Sequence, residues 1–243
     1  MRYIQAILIC SFLISSLVLA NERLTLTGSS TVAPLMMEIA KRFEQKNPGM
    51  RVDVQMGGSS RGIADARSGL ADIGMVSRAL KDGEKDLKAF TIAKDGVCII
   101  LHKSNAVSKL SKEQIVKIYK GLIKNWKDVG GKDAAITVVN KAEGRSTLEL
   151  FLHHFKLKNT EIKPSVVIGD NEQGIKTVSG SPNAIGYVSI GSAEYDASQG
   201  VAIKLLPMDG VAASIENVKT EKFPISRPLN LVTKEGRTQR QAT

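Results

Sequence analysis

Four short turns in the sequence are rich in serine, threonine and glycine. Three of them directly precede a segment with helical periodicity, and two contain an arginine that could donate a pair of hydrogen bonds. A helix N-terminus exposes backbone N–H groups and a partial positive charge, and each hydroxyl adds a donor, so such turns can bind an oxyanion. The turns are Gly28-Ser29-Ser30-Thr31, Gly58-Ser59-Ser60, Ser77-Arg78 and Gly144-Arg145-Ser146-Thr147.

The same residues also have a purely structural interpretation. A serine or threonine before a helix usually caps that helix, and a single arginine is usually a solvated surface charge. The repetition favours a ligand site, because each turn follows a predicted strand and open α/β sheets bind ligands beyond the carboxyl ends of their strands. We therefore predict one oxyanion site built from several turns.

The segments around these turns predict the elements that hold them. Short apolar strands alternate with amphipathic helices, which is typical of an α/β protein. The spacing of Ser111 with Gln114, and of Ser146 with Glu149, predicts two capping boxes. Strands are predicted at 24–26, 51–56, 71–76, 97–101, 136–139, 185–189, 201–206 and 229–232, and helices at 32–43, 63–70, 115–122, 148–155 and 171–180.

The first twenty residues predict export. Arg2 precedes an uncharged apolar run, and Val18 and Ala20 are small residues at the -3 and -1 positions of a cleavage site. Residues 1–20 are therefore interpreted as a signal peptide and the mature protein as periplasmic. An uncleaved anchor is the alternative, although the run is short for a spanning helix, which needs about 20 apolar residues. Cys98, in an apolar segment, is expected to be buried and inert.

Size and charge restrict the class of protein further. A mature chain of this size suits one large domain or two lobes of about 100 residues each. The net charge of +10 favours anionic partners. Nucleic acid is not expected, because the basic residues are dispersed and only six Phe, four Tyr and one Trp could stack on bases.

The sequence lacks the patterns expected of an enzyme. His102 follows a predicted strand, while His153 and His154 are adjacent on a helix, so no zinc-like spacing arises. The Gly-Lys-Ser/Thr ending of a phosphate-binding loop does not occur. We therefore expect no catalytic residues, no metal and no cofactor.

Seven segments, taken in order, resemble one known family: residues 27–34, 57–63, 71–78, 110–126, 143–147, 184–188 and 223–229. That family is the phosphate-binding subunit of phosphate-specific ABC importers, a group of type II periplasmic substrate-binding proteins. The resemblance covers nearly the whole mature chain. It implies that the protein captures inorganic phosphate and delivers it to an importer.

The resemblance also implies an α/β, two-lobe fold with a hinge and a central cleft. Lobe 1 would comprise residues 21–100 and 191–243, and lobe 2 residues 101–190. The implied partners are inorganic phosphate and the membrane permease and ATPase subunits of an importer, and the protein is expected to be a monomer. The implied phosphate contacts are Ser30, Thr31, Ser59, Ser77, Arg78, Arg145, Ser146 and Thr147.

Three positions depart from the family pattern. Longer members have an aspartate at the position of Ser77, where it accepts the proton of the ligand. Asp72 and Glu143 are candidates for that acceptor, although Asp72 is rather expected to cap local backbone. The fourth turn commonly reads Gly-Ser-Gly-Thr after an arginine, so Arg145 is expected to replace that arginine, with Lys141 upstream. Finally, residues 236–243 are polar where members continue into a helix.

Three alternatives remain open from the sequence. The same fold could bind sulfate, molybdate or a phosphonate instead of phosphate, since the aspartate is missing. The protein could be a phosphate-sensing or surface-adhesion module in which ligand binding is secondary. An enzyme acting on phosphate esters is the third, and would need a nucleophile with a base or a metal cluster.

Overall fold

The computed structural model describes residues 22–234, so the predicted signal peptide and the polar residues 236–243 lie outside the described part of the chain. Strands and helices alternate as the sequence predicts. In chain order they are β1 (Glu22–Gly28), α1 (Ala33–Lys46), β2 (Met50–Met56), α2 (Ser59–Ser68), β3 (Ile73–Val76), β4 (Leu87–His102), α3 (Lys112–Tyr119), β5 (Thr137–Lys141), α4 (Ser146–Phe155), β6 (Val166–Ile168), α5 (Asn171–Ser179), β7 (Ala184–Ser189), α6 (Ile190–Ser198), β8 (Ile203–Leu205), α7 (Ile215–Lys219) and β9 (Ser226–Lys234).

Strand β4 connects two groups of strands. The strand order is β2-β1-β3-β9-β4-β7-β5-β6, with β8 also paired to β4. Residues 87–96 of β4 pair with β9, whereas residues 97–102 pair with β7 and β8. The inner strands β1 and β5 each lie between two parallel partners, so their carboxyl ends open towards helices.

The hydrophobic cores lie on two sides of this junction. Two smaller clusters pack β1, β3, β9, α1 and α2 around residues such as Leu26, Met75 and Val232. One larger cluster extends from Val97 to Ile225. We call residues 22–96 with 226–234 the first unit, and residues 97–225 the second unit.

The predicted lobe limits differ from this packing. The sequence-based division assigned 191–243 to lobe 1, and that division stays a prediction. However, Ile203, Val218 and Ile225 belong to the larger core together with the second unit. The packing therefore favours a return to the first unit at β9, after the chain has completed α6, β8 and α7.

Local signals account for several of the observed helix ends. Ser111 Oγ accepts a hydrogen bond from the Gln114 N–H, and the Gln114 side chain accepts one from the Ser111 N–H, so the first predicted capping box is confirmed. Helix α2 ends at Gly69 in the left-handed conformation, which glycine adopts without a Cβ clash.

Two further observations concern burial and membranes. Cys98 is fully buried, as expected, and burial raises the pKa of its thiol. Between residues 22 and 234, none of the helices combines the length and the apolar character needed to cross a bilayer.

Candidate oxyanion-binding site

The four predicted turns meet around one small cavity between the two units. All predicted phosphate contacts except Arg78 lie in its lining, together with two glycines, Ser29 and one lysine. The lining consists of Ser29, Ser30, Thr31, Gly58, Ser59, Ser77, Lys141, Arg145, Ser146, Thr147 and Gly169.

Three helices begin at this cavity, and all three lack a side-chain cap. The residues before α1, α2 and α4 are Val32, Gly58 and Arg145, and no side chain at these positions accepts a hydrogen bond from its helix. The other four helices of the described chain, α3, α5, α6 and α7, each have a capping side chain. No capping side chain therefore competes for the N-terminal N–H groups at the cavity, and those without a backbone acceptor can bind a ligand.

The turn at Gly58 and the turn at Gly144 approach each other across the cavity. The Ser60 N–H donates to the Gly144 carbonyl oxygen at 3.3 Å. Gly58 has a φ of 91°, and a Cβ there would lie 2.5 Å from the same oxygen. Only glycine allows the backbone of α2 to come this close to the second unit.

Ser59 and Ser77 form a buried pair on the first unit. The Ser77 N–H donates to Ser59 Oγ at 3.0 Å, and the two hydroxyl oxygens lie 3.4 Å apart. Their side chains are almost fully buried. Because Ser59 accepts from the backbone, its own hydrogen is available to a neighbour or a ligand.

The fourth turn leaves two buried polar atoms unsatisfied. Among the described residues, Arg145 Nε and Ser146 Oγ have no hydrogen-bond partner. Burial also lowers the pKa of Arg145. Buried donors are normally paired, so these two atoms indicate a site for an additional acceptor.

The predicted capping box at Ser146 is wrong. Ser146 is the first residue inside α4 and Arg145 occupies the capping position, so the serine side chain does not cap the helix. The Glu149 carboxylate instead lies 2.8 Å from Lys81 Nζ and 3.3 Å from Arg78 Nε, on the first unit. The ion pairs with the first unit therefore take Glu149 away from its own helix terminus.

Lys141, the last residue of β5, adds a cation that the sequence analysis noted only as upstream of the turn. Its side chain is buried, and Nζ donates to the Asp170 carbonyl oxygen at 2.9 Å. Burial, with the charge of Arg227 nearby, lowers the pKa of Lys141 to about 7. The sequence feature that could have placed Lys141 in the lining is its position at the end of a strand, directly before a donor-rich turn.

Arg78 is placed outside the cavity lining. Its guanidinium donates to both carboxylate oxygens of Glu84, at 2.7 and 2.8 Å, and to the Ala79 carbonyl oxygen at 3.0 Å. The hydrogen bonds from Arg78 lower the pKa of Glu84. The guanidinium is thus engaged by a carboxylate, and a phosphate contact by Arg78 stays a prediction that this geometry does not favour.

The two candidate proton acceptors are also outside the lining. Asp72 Oδ2 accepts a hydrogen bond from the Thr25 N–H at 2.9 Å, so it binds backbone on β1, which is distant in the sequence and not local as expected. Glu143 Oε1 accepts from Asn159 Nδ2 at 3.0 Å. Among the described residues, the cavity lining therefore contains donors and hydroxyls and no carboxylate.

Comparison with known proteins identifies the family. Residues 19–242 match the model of a PBP superfamily domain. The phosphate-binding protein PstS of Bacillus subtilis (strain 168) is 31% identical over 210 residues, which are 85% of this chain and 68% of that protein. The PstS of Borreliella burgdorferi is 28% identical over 223 residues, covering 88% of this chain and 79% of that protein.

Solved structures agree with this result. A phosphate ABC transporter substrate-binding protein from Clostridium perfringens, solved with bound phosphate, has 36% identity and a TM-score of 0.81, with 90% of this chain and 89% of that chain covered. An ABC-type phosphate transport receptor from Vibrio cholerae has 31% identity and a TM-score of 0.67, with 90% of each chain covered. They confirm the predicted α/β, two-lobe fold. The chain belongs to the PBP superfamily and, within it, to the family of the phosphate-binding protein PstS.

Proposed function

We propose that this protein captures inorganic phosphate outside the cytoplasm and delivers it to an ABC importer. The observation that carries the proposal is the convergence of three uncapped helix N-termini with Arg145 and Lys141 on one cavity. Relatives named for phosphate binding, and a similar structure that contains phosphate, support the choice of ligand.

The chemistry of the lining suits a small tetrahedral anion. Backbone N–H groups and hydroxyls offer neutral donors on several sides, while the guanidinium of Arg145 and the ammonium of Lys141 offer charge-assisted hydrogen bonds. The described lining contains no carboxylate, imidazole or thiol, so its groups are suited to holding an anion. We therefore propose a binding protein and not an enzyme.

The position of the cavity suits ligand-driven closure. Three donor turns belong to the first unit, whereas Lys141 and the turn at Arg145 belong to the second. A ligand that contacts both units stabilises the closed arrangement, because only that arrangement offers all the contacts. We propose a monomer that presents its closed form to permease and ATPase subunits, after export to the periplasm with cleavage of residues 1–20.

A second candidate ligand class follows from the acceptors that the lining offers. Hydrogen phosphate carries a proton that needs an acceptor, whereas sulfate does not. Position 77 is a serine, and among the side chains of the described lining only the hydroxyls and the uncharged form of Lys141 can accept that proton. Sulfate, molybdate or a phosphonate is therefore the alternative ligand on the same fold.

Titration calorimetry of the mature protein tests the proposal directly. Phosphate, sulfate and molybdate are titrated separately at several pH values between about 5 and 8. We expect one phosphate per protein and weaker binding of the other two anions. Stronger binding of sulfate or molybdate would support the second candidate, and no heat with any oxyanion would contradict both.

A further inference from the structure

Asp95 and Arg227 form a buried ion pair where the two units join. The residues are register partners on β4 and β9, and their side chains are 5% and 1% exposed. Arg227 donates from Nη2 and Nε to Asp95 Oδ2 at 2.8 and 3.1 Å. The other oxygen of Asp95 accepts from Ser189 Oγ at 2.9 Å and from the Gly191 N–H at 3.2 Å. The guanidinium is therefore held in one position.

The remaining donors of Arg227 reach both halves of the cavity. Nη1 donates to Thr147 Oγ1 at 3.0 Å, and Nη2 donates to Thr31 Oγ1 at 3.1 Å. Thr31 belongs to the turn at residues 28–31 in the first unit. Thr147 lies in the first helical turn of α4, in the second unit. Both threonines line the cavity, whereas Arg227 itself does not.

These hydrogen bonds fix the direction in which the two hydroxyls act. An arginine side chain has donors only, so each threonine oxygen must accept from it. Thr31 Oγ1 also accepts a hydrogen bond from Asn171 Nδ2 at 3.1 Å. The bonds from Arg227 and Asn171 together occupy both lone pairs of the Thr31 oxygen. A hydroxyl that accepts in this way retains one hydrogen, and that hydrogen is free to be donated.

We propose that Arg227 is a positioning residue for the oxyanion, on the basis of the function proposed above. By donating to the oxygens of Thr31 and Thr147, one guanidinium orients a hydroxyl in each unit so that its hydrogen can be donated to the anion. The anion then meets hydroxyls that are already oriented, so little reorganisation is needed when it binds. Arg227 contributes to affinity through these threonines and not through a contact of its own.

A double-mutant cycle tests this coupling. In the first arm, Arg227→Gln with Asp95→Asn removes the guanidinium while keeping the buried site electrically neutral. In the second arm, Thr31→Val with Thr147→Val removes the hydroxyls at nearly constant volume. We expect the first arm to weaken phosphate binding about tenfold and the second about a hundredfold. In the valine background, the Arg227/Asp95 change should alter affinity by less than about twofold.

Two controls keep the result interpretable. Arg67→Gln with Asp86→Asn neutralises an exposed ion pair far from the cavity and should leave phosphate affinity unchanged. If the Arg227/Asp95 variant does not fold, Arg227→Lys retains the charge but loses the planar fork of donors that reaches Asp95, Thr31 and Thr147 at once. We then expect a loss of about tenfold that again disappears in the valine background.

The positioning role would be overturned if the Arg227/Asp95 change lowered phosphate affinity equally with and without the threonine hydroxyls. An unchanged affinity of the Arg227 variants would overturn it as well. The unmodified protein separates this failure from a failure of the proposed function. If it binds phosphate and the cycle is additive, only the positioning role is wrong. If it binds no oxyanion, the proposed function is wrong as well.

Discussion

Single side chains in the cavity divide into those committed to the protein and those left for a ligand. Ser59 accepts from the Ser77 backbone, whereas Arg145 Nε and Ser146 Oγ remain without partners in the described structure. Lys141 is held by one carbonyl oxygen and keeps two further donors when protonated. Arg145 Nε and Ser146 Oγ can each donate a hydrogen bond, so both are suited to an oxyanion.

The lowered pKa of Lys141 predicts uptake of a proton on phosphate binding. At pH 8 the free protein has a mostly neutral Lys141, because the pKa is about 7. An anion in the cavity favours the charged form and raises that pKa. Calorimetry in buffers of different ionisation enthalpy should show that the unmodified protein takes up about one more proton per phosphate than Lys141→Arg, since arginine stays protonated.

The comparison with Lys141→Arg isolates the lysine, because the ionisation of phosphate itself is the same for both proteins. Thermal unfolding without ligand confirms that the larger side chain is tolerated. Equal proton uptake by the two proteins would show that Lys141 is already protonated in the free site or does not sense the anion.

The guanidinium of Arg145 predicts a direct loss of affinity. Arg145→Ala removes one charge-assisted interaction and should weaken phosphate binding by about 1.5–3 kcal/mol. Arg61→Ala serves as the control, because Arg61 lies on α2 but is exposed and paired with Asp65. Calorimetry measures both affinities. An unchanged affinity of Arg145→Ala would remove the fourth turn from the site.

Among the elements, helices and strands with clear periodicity could be predicted from the sequence. Helix α1 is present, yet its buried residues include Ala33 and Ala40, while Leu35 and Ile39 are 43% and 44% exposed. Small residues allow close packing that a hydrophobic pattern does not indicate. Helix α6 was missed, because only Ile190 and Ala193 of its residues are buried and no apolar repeat arises.

The candidate site could also be predicted only in part from the sequence. Turn chemistry is local, so the donor-rich turns could be recognised one by one. The contacts of Arg227 involve residues distant in the sequence, whereas Arg78 binds Glu84 only six residues later, through a loop without apolar periodicity. Such pairings are set by tertiary structure, and the sequence offered no spacing from which to infer them.

The N-terminus of α2 predicts a difference between two glycines that have similar φ angles. Gly58 and Gly49 have φ values of 91° and 97°, but only at Gly58 would a Cβ meet the opposite unit. Each Gly→Ala change should lower the free energy of unfolding by about 1–2 kcal/mol through backbone strain. Gly58→Ala should in addition weaken phosphate binding by about 1–3 kcal/mol, since closure would force a clash.

Gly49→Ala therefore serves as the matched control for strain without a contact. Chemical denaturation measures the stability of both variants, and calorimetry measures their affinity for phosphate. Equal affinities of the two variants would mean that the approach of α2 to Gly144 is not needed for binding.

In the whole molecule, contacts between the units surround the cavity. The Glu149 carboxylate on the second unit lies close to Arg78 and Lys81 on the first, and the Ser60 hydroxyl donates to it at 3.5 Å. Asn171 and Thr31 are hydrogen-bonded across the same boundary. These contacts join the two units without a ligand, so the proposed closed arrangement would depend partly on charges outside the candidate site.

Removal of the Glu149 charge should therefore shift the ligand-free protein towards an open form. Glu149→Gln loses its ion pairs with the first unit, and we expect about 1 kcal/mol less stabilisation of closure. Small-angle scattering without phosphate should show a larger radius of gyration than for the unmodified protein. Glu113→Gln, which breaks an exposed ion pair within α3, is the control. Identical scattering of both variants would contradict a role of Glu149 in closure.

The order of strands has a consequence for biosynthesis. Strand β9 lies between β3 and β4, so the segment made last among the described residues fills the middle of the first sheet. The second unit is continuous in sequence and can form its core as soon as residue 225 has emerged. Until then, β3 and β4 present unpaired edges, which are templates for association with other chains. During synthesis the nascent protein is consequently most vulnerable to aggregation just before β9 becomes available.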